Sequence, residues 1–254
     1  MLAVLVGAQM AVLAFPQVFF NHSARVGAVT IYTDAPGEIP LDSLAIEVDR
    51  YLQVSTMYDS TGRERAFVFE SERTFSIFAR LSFQRPDIQG FCLTIFGNSF
   101  INASRVRRAG DLTGRRVAYS ITEESLVHVI VHEITHDYLA DIIGRSTWKK
   151  LPLWKQEGYC EYVANITAIR DDSLESPAGR IGILHDDSIW GRHYGHDRRH
   201  YEAELLWEYL LDIKGYSIPD IVSDTVTRED VLREMTEWCK TRLNGLHGSL
   251  ILLY

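Results

Sequence analysis

Cysteine is scarce in this chain. Cys92, Cys160 and Cys239 are the only three, they lie far apart, and none belongs to a C-x-x-C pair. That excludes a disulfide framework and leaves at least one thiol unpaired within the chain. Three small buried apolar residues are the plainest reading, with one long-range bridge open if the chain is exported. Basic charge is also in deficit: 26 Lys and Arg against 34 Asp and Glu give a net charge of −8. No basic run breaks that trend, so a surface tracking phosphates is not expected, and no nucleic-acid partner either. Repeats and low-complexity linkers are missing too. The remainder is ordinary globular composition, 46% hydrophobic and 24% charged, enough to bury one large core or two packed lobes.

Charge is altogether missing from the first twenty residues, Met1 to Phe20, and the first charged side chain is Arg25. Twenty helical residues rise about 30 Å, the thickness of a bilayer core. The basic n-region of a signal peptide is lacking, although Val12-Leu13-Ala14 offers a small-residue cleavage site. Residues 1–22 are therefore expected to be a signal segment or a single membrane anchor, placing the rest of the chain outside the cytoplasm. The competing reading is a helix buried in the domain.

Two lobes follow, 26–144 and 145–254. In the first, strands are expected at Ala28–Tyr32, Ala66–Phe69, Cys92–Phe96, Phe100–Ile101 and Arg115–Tyr119, with Gly97-Asn98 as a hairpin signal. Leu41, Leu44, Val48 and Leu52 share a helical face, and Glu72–Ser82 reads as a short helix. A long helix should start at the N-cap Thr122 and end before Gly144. Its interior is apolar on nearly every face, which places it in the middle of the protein. Thereafter the pattern is helical, near 154–169, 201–213 and 228–243. A sheet-bearing half precedes a helical half.

Within the long helix lies His132-Glu133-Ile134-Thr135-His136. Histidines four apart project from one helix face and can share a cation, and neutral imidazoles suit Zn²⁺. Glu133, about 100° around the helix, can reach a water beside the metal rather than the metal itself. The competing reading is a pair of satisfied buried histidines. After His136 comes Asp137-Tyr138-Leu139-Ala140-Asp141, with neither the glycine nor the third histidine of metzincins. Twenty residues separate His136 from Glu157, which sits in Leu151-Pro152-Leu153-Trp154-Lys155-Gln156-Glu157-Gly158-Tyr159-Cys160-Glu161-Tyr162.

The two segments together resemble the gluzincin peptidases, whose second helix carries a P-x-W-x-x-E-G-x-x-E-Y type stretch. The resemblance covers Glu124 to about Thr167, with weaker support from the helix around His200 to Leu210. It implies an α+β, thermolysin-like zincin: a mixed-sheet N-terminal lobe, a central active-site helix and a helical C-terminal lobe. His132, His136 and Glu157 would be the zinc ligands and Glu133 the general base. Glu161 would stand behind them, orienting a ligand histidine. The oxyanion needs a further donor, with Tyr201 the first candidate and His200 the second. His185, His193 and His196 lie in the same stretch and read as exposed loop residues. Residues 171–199 would form a loop near the cleft, and Leu93–Ile101 the edge strand on which peptide aligns.

The expected activity is hydrolysis of a peptide or protein substrate. Two readings compete with it: a catalytically inactive binding or sensing protein on the same fold, and a non-peptide amidohydrolase. Glu133 argues against the first, since a pure binding site has no need of that base.

Overall fold

A computed structural model describes residues 2–35, 40–106, 126–170, 177–187 and 195–250. The chain is α+β and divides into two compact units, residues 1–145 and 146–254. The expected strand at Arg115–Tyr119 and the N-cap Thr122 lie outside the described residues.

The first unit is built on a five-stranded mixed sheet. Its strands are β1 (His22–Val26), β2 (Val29–Thr33), β3 (Glu64–Phe69), β4 (Gly90–Leu93) and β5 (Asn98–Asn102). The spatial order is β1-β2-β3-β5-β4. The outer pairs β1/β2 and β4/β5 are antiparallel, while β2/β3 and β3/β5 are parallel. Alternation along each strand sorts the side chains onto two faces. Tyr32, Phe67, Phe100 and Phe91 come into register across four strands, with stacked rings at each step. On the opposite face the register brings Ile31 beside Ala66, Val68 beside Ile101, and Ile101 beside Gly90.

The aromatic face packs against α3 (Glu72–Leu81), which contributes Phe75 and Phe78. Ser71 caps α3, accepting from the Thr74 amide. The N-terminal segment belongs to this same core. Helix α1 (Leu2–Ala14) and the 3₁₀ turn Pro16–Phe19 deliver Leu13 and Phe20 into the phenylalanine cluster. Phe20 lies 5.1 Å from both Phe67 and Phe69. The buried Asn98 amide donates to the Leu13 carbonyl at 2.7 Å. Among the described residues, no helix is long and apolar enough to cross a membrane.

The small-residue face receives α4 (Leu126–Ile143), in which every residue from Val129 to Ala140 is buried. Helix α2 (Leu41–Leu52) packs beside α4 and over β1 and β2. Asp49 of α2 accepts from the Ala28 amide and the Tyr58 hydroxyl. Gly27, at φ 52°, is needed where it stands: a Cβ there would lie 2.3 Å from the Asp49 carboxylate. Gly144, at φ 84°, follows the end of α4 as expected.

Glu64 opens β3 in a largely dry setting. Burial, reinforced by Asp137 and Asp141, pushes its carboxyl up to about 8. The folded state thus keeps a proton that the unfolded chain loses near the ordinary value of 4.5. Glu64 contributes its full stability below that value, and the contribution declines as pH rises to about 8. Glu64→Gln should therefore gain on the wild type between pH 5 and 8 when urea midpoints are compared. Parallel pH profiles for the two proteins would contradict the burial assigned to Glu64.

The second unit is helical: α5 (Leu153–Arg170), α6 (Pro177–His185), α7 (Gly195–Glu208) and α8 (Arg228–Leu250). A π-helical turn, Tyr209–Ile213, extends α7, and Tyr162 donates from α5 to the Asp212 carboxylate in that turn. Helix α6 occupies part of the span expected to be a loop, and α7 begins before His200. The packing of α5 on α7 is close enough to require glycine. A Cβ on Gly158 would lie 2.3 Å from Trp207 Cδ1 and 2.4 Å from the Ala203 carbonyl oxygen. Arg180 of α6 is buried between Glu204 and Glu208 of α7, bonding both, and Asn165 of α5 donates to Glu204 at 3.0 Å. A buried guanidinium with carboxylate partners fixes how these helices register, since removing one partner would strand a charge.

Candidate metal centre

Within α4, His132 and His136 are one turn apart, so both imidazoles leave the same side of the helix. Their rings meet edge-on with centroids 4.9 Å apart. A nitrogen of one lies within 4.8 Å of a nitrogen of the other. Both are buried, 8% and 7% exposed. Two neutral imidazoles this close are the donor set a zinc or similar transition ion prefers, and their burial limits competition from water. His128 stands one turn earlier, half-buried, with its ring 6.4 Å from His132. The same four-residue spacing made it legible in the sequence, yet only the pair inside the H-E-x-x-H motif drew attention.

Glu133 points elsewhere. It is buried, and its carboxylate lies against β4, where a Cβ on Gly90 would come within 2.9 Å of Oε1 and 3.1 Å of Cγ. No sequence signal marks Gly90, because its role depends on a tertiary contact. Strand β4 is an outer strand of the sheet, whereas β5 is paired on both sides. Among the described residues, the sheet edge beside α4 is thus Gly90–Leu93, shorter than the expected Leu93–Ile101. On the same helix Asp137 is buried, and burial and Asp141 push its carboxyl up to about 7. Its Oδ1 has no hydrogen-bond partner among the described residues.

In the second unit, Glu157, Cys160 and Glu161 fall at three- and four-residue spacing, on one side of α5. His200 of α7 faces that side: its Nδ1 is 2.9 Å from Glu161 Oε1 and 3.9 Å from Glu157 Oε2. Its side chain is 14% exposed. A carboxylate on Nδ1 fixes the ring's orientation. Tyr201, one residue on, is only 3% exposed, and its hydroxyl donates to the Arg180 carbonyl at 3.3 Å. The two sequence candidates for the oxyanion donor therefore differ in setting. Cys160 is buried, with its thiol donating to the Gln156 carbonyl. Of the loop histidines, His185 ends α6 and is exposed, and His193 lies outside the described residues.

In comparisons of sequence, no protein-family model matches the chain, and no curated protein does. The functional reading rests on the residues themselves.

The structure brings His132 together with His136, and His200 together with Glu157 and Glu161. Each unit thus presents a cluster of its own: two buried imidazoles on α4 in the first, with the Glu133 carboxylate turned toward β4, and carboxylates with an oriented imidazole in the second.

Proposed function

We propose that the chain is a zinc-dependent peptidase of gluzincin type on a thermolysin-like fold. The observation that carries this reading is the pair of buried imidazoles one turn apart on α4, with Glu133 between them in sequence. Buried imidazoles must be hydrogen-bonded or metal-bound, and one shared ion would serve both. His132, His136 and Glu157 serve as metal ligands, one from each helix turn of α4 and the third from α5. A zinc ion held there would acidify water at its open position and polarise a substrate carbonyl.

The chain's own residues do the rest. Glu133 takes the proton from the attacking water and delivers it to the leaving amine. Glu161 orients His200 through Nδ1, and the other ring nitrogen, Nε2, donates to the developing oxyanion. This setting favours His200 over Tyr201, whose hydroxyl already serves the α6 backbone. Tyr201 in turn acts as a positioning residue for the helix that carries His200. Among the described residues β4 is an outer strand, and it lies close to Glu133, a place suited to an extended peptide backbone. That favours a peptide substrate over a small amide.

Protein purified without chelator should carry about one zinc ion per chain and cleave members of a peptide library. Glu157→Ala should weaken zinc retention by more than the ~10–100-fold typical of residues standing behind the ligands. Metal-free protein would refute the site. Stoichiometric zinc with no cleavage anywhere in the library would point instead to a binding protein on this fold.

A further inference from the structure

The apolar N-terminal segment does two things at once. Its C-terminal part is locked into the first unit: Leu13 and Phe20 are in the phenylalanine core, Asn98 holds the Leu13 carbonyl, and Gln9 donates to the Leu81 carbonyl at the end of α3. Its outer part is exposed. Val4, Leu5, Val6 and Met10 of α1, and Phe15, Val18 and Phe19 after it, are large apolar side chains open to solvent. The bond from Gln9 brings this surface beside α3, and Phe19 packs on Phe78 of that helix at 6.0 Å. Two more exposed hydrophobics lie there, Ile77 on α3 and Phe83 just after it.

Phe83 is the telling residue. It is 90% exposed, and it is the one non-glycine residue at positive φ (59°) among those described. A left-handed backbone is costly for a bulky side chain, and such strain persists where the surroundings impose it. Nothing in the packing of the unit is gained by pointing this ring outward. On α3 the exposed charges are basic although the chain as a whole is acidic, and Glu72 at its start is half-buried. Arg73, Ile77 and Arg80, at i, i+4 and i+7, make the exposed stripe of α3. Neither arginine has an ion-pair partner among the described residues.

We propose that this surface, formed by α1, the turn after it and the end of α3, docks in the interface of a membrane containing anionic lipids. Arg73 and Arg80 meet the headgroups, while Phe15, Val18, Phe19 and Phe83 enter the acyl boundary. The last turn of α1 is committed to the core, since Leu13 belongs to the phenylalanine cluster and its carbonyl accepts from the Asn98 amide. An uncharged apolar face with arginines at its rim is the pattern of a segment lying in the interface. Charge complementarity selects lipid over a second copy of this chain, since the arginines gain from an anionic surface and repel each other across a symmetric dimer. This inference is independent of the peptidase reading.

The test uses the full chain, purified without detergent, with its N-terminus verified by mass spectrometry. Co-sedimentation with phosphatidylcholine vesicles containing phosphatidylglycerol should exceed that with phosphatidylcholine alone. Phe15→Ser combined with Phe83→Ser should lower partitioning at least ~10-fold. Arg73→Glu combined with Arg80→Glu should remove the preference for the anionic vesicles. All four side chains are exposed, and far-ultraviolet circular dichroism checks that the variants remain folded. Wild-type protein that ignores both vesicles would overturn the proposal. So would variants that bind as well as wild type, or self-association by sedimentation velocity with no vesicle binding.

Discussion

Glu133→Gln should eliminate peptide hydrolysis while leaving zinc content unchanged. General-base catalysis is worth about 10²–10⁴ in rate, and a glutamine amide cannot accept the proton. A loss of at least ~10³ in kcat is therefore expected, with KM little altered, because the substitution removes an interaction made in the transition state. The swap preserves shape. That matters here, because Gly90 leaves no slack on one side of the carboxylate: a Cβ at that position would already crowd Oε1. Neither imidazole is touched, so metal analysis should return the wild-type value. Retained hydrolysis at near wild-type rate would show that another group takes the proton, and the assignment of Glu133 would fail. Loss of zinc together with activity would show that the carboxylate is a ligand rather than a base.

The parts of the fold legible in the sequence were those whose pattern answers to a local rule. Helix α4 is largely apolar and carries His132 and His136 at a fixed spacing, so its burial followed from composition. Strands β2, β3 and β5 showed runs of β-branched and aromatic residues, and the hairpin was legible from Gly97-Asn98, although the turn is 94–97, Asn98 already opens β5 opposite Leu93, and β4 ends earlier than the expected Phe96. Strand β1 escaped notice because only Ala24 is buried on this outer strand, while His22, Ser23 and Arg25 face solvent. A strand with one buried residue has no alternation to read.

The N-terminal segment was misleading for a different reason. Hydropathy reports that a stretch avoids water but does not name its partner, and here the partner of Leu13 and Phe20 is the protein's own aromatic core. Polarity misled in the same way at 171–199. Pro177 suits the first turn of a helix, and the charge of Arg180 is matched by two glutamates that arrive from α7. On the site, Glu157 and Glu161 were legible as a helical pair. That His200 rather than Tyr201 faces them depends on the rotation of α7, which its sequence does not specify: polar and apolar residues are spread around its axis.

Gly158→Ala should destabilise the protein by up to about 2 kcal/mol, even though alanine is the better helix former. Alanine in a helix interior gains up to about 1 kcal/mol over glycine. Against this stands overpacking, typically 1–3 kcal/mol. The new methyl would sit 2.3 Å from Trp207 Cδ1 and 2.4 Å from the Ala203 carbonyl oxygen. Trp207 is fully buried, with its ring 4.9 Å from that of Tyr159, and tied to the Trp154 carbonyl through Nε1, so it has no open direction in which to turn. The Ala203 carbonyl is helix backbone and cannot yield without moving α7 as a body. Helices α5 and α7 must then separate, and the 2.9 Å bond between His200 and Glu161 spans that same junction. Activity should fall along with the urea midpoint. Gly182→Ala is the matched control: it lies in α6 with nothing within 4 Å of its would-be Cβ, so helix propensity alone should make it neutral or slightly stabilising. Opposite signs for the two substitutions are expected in the same denaturation assay. Equal tolerance of both would mean that α5 and α7 do not approach as closely as Gly158 implies, and the orientation of His200 would lose its basis.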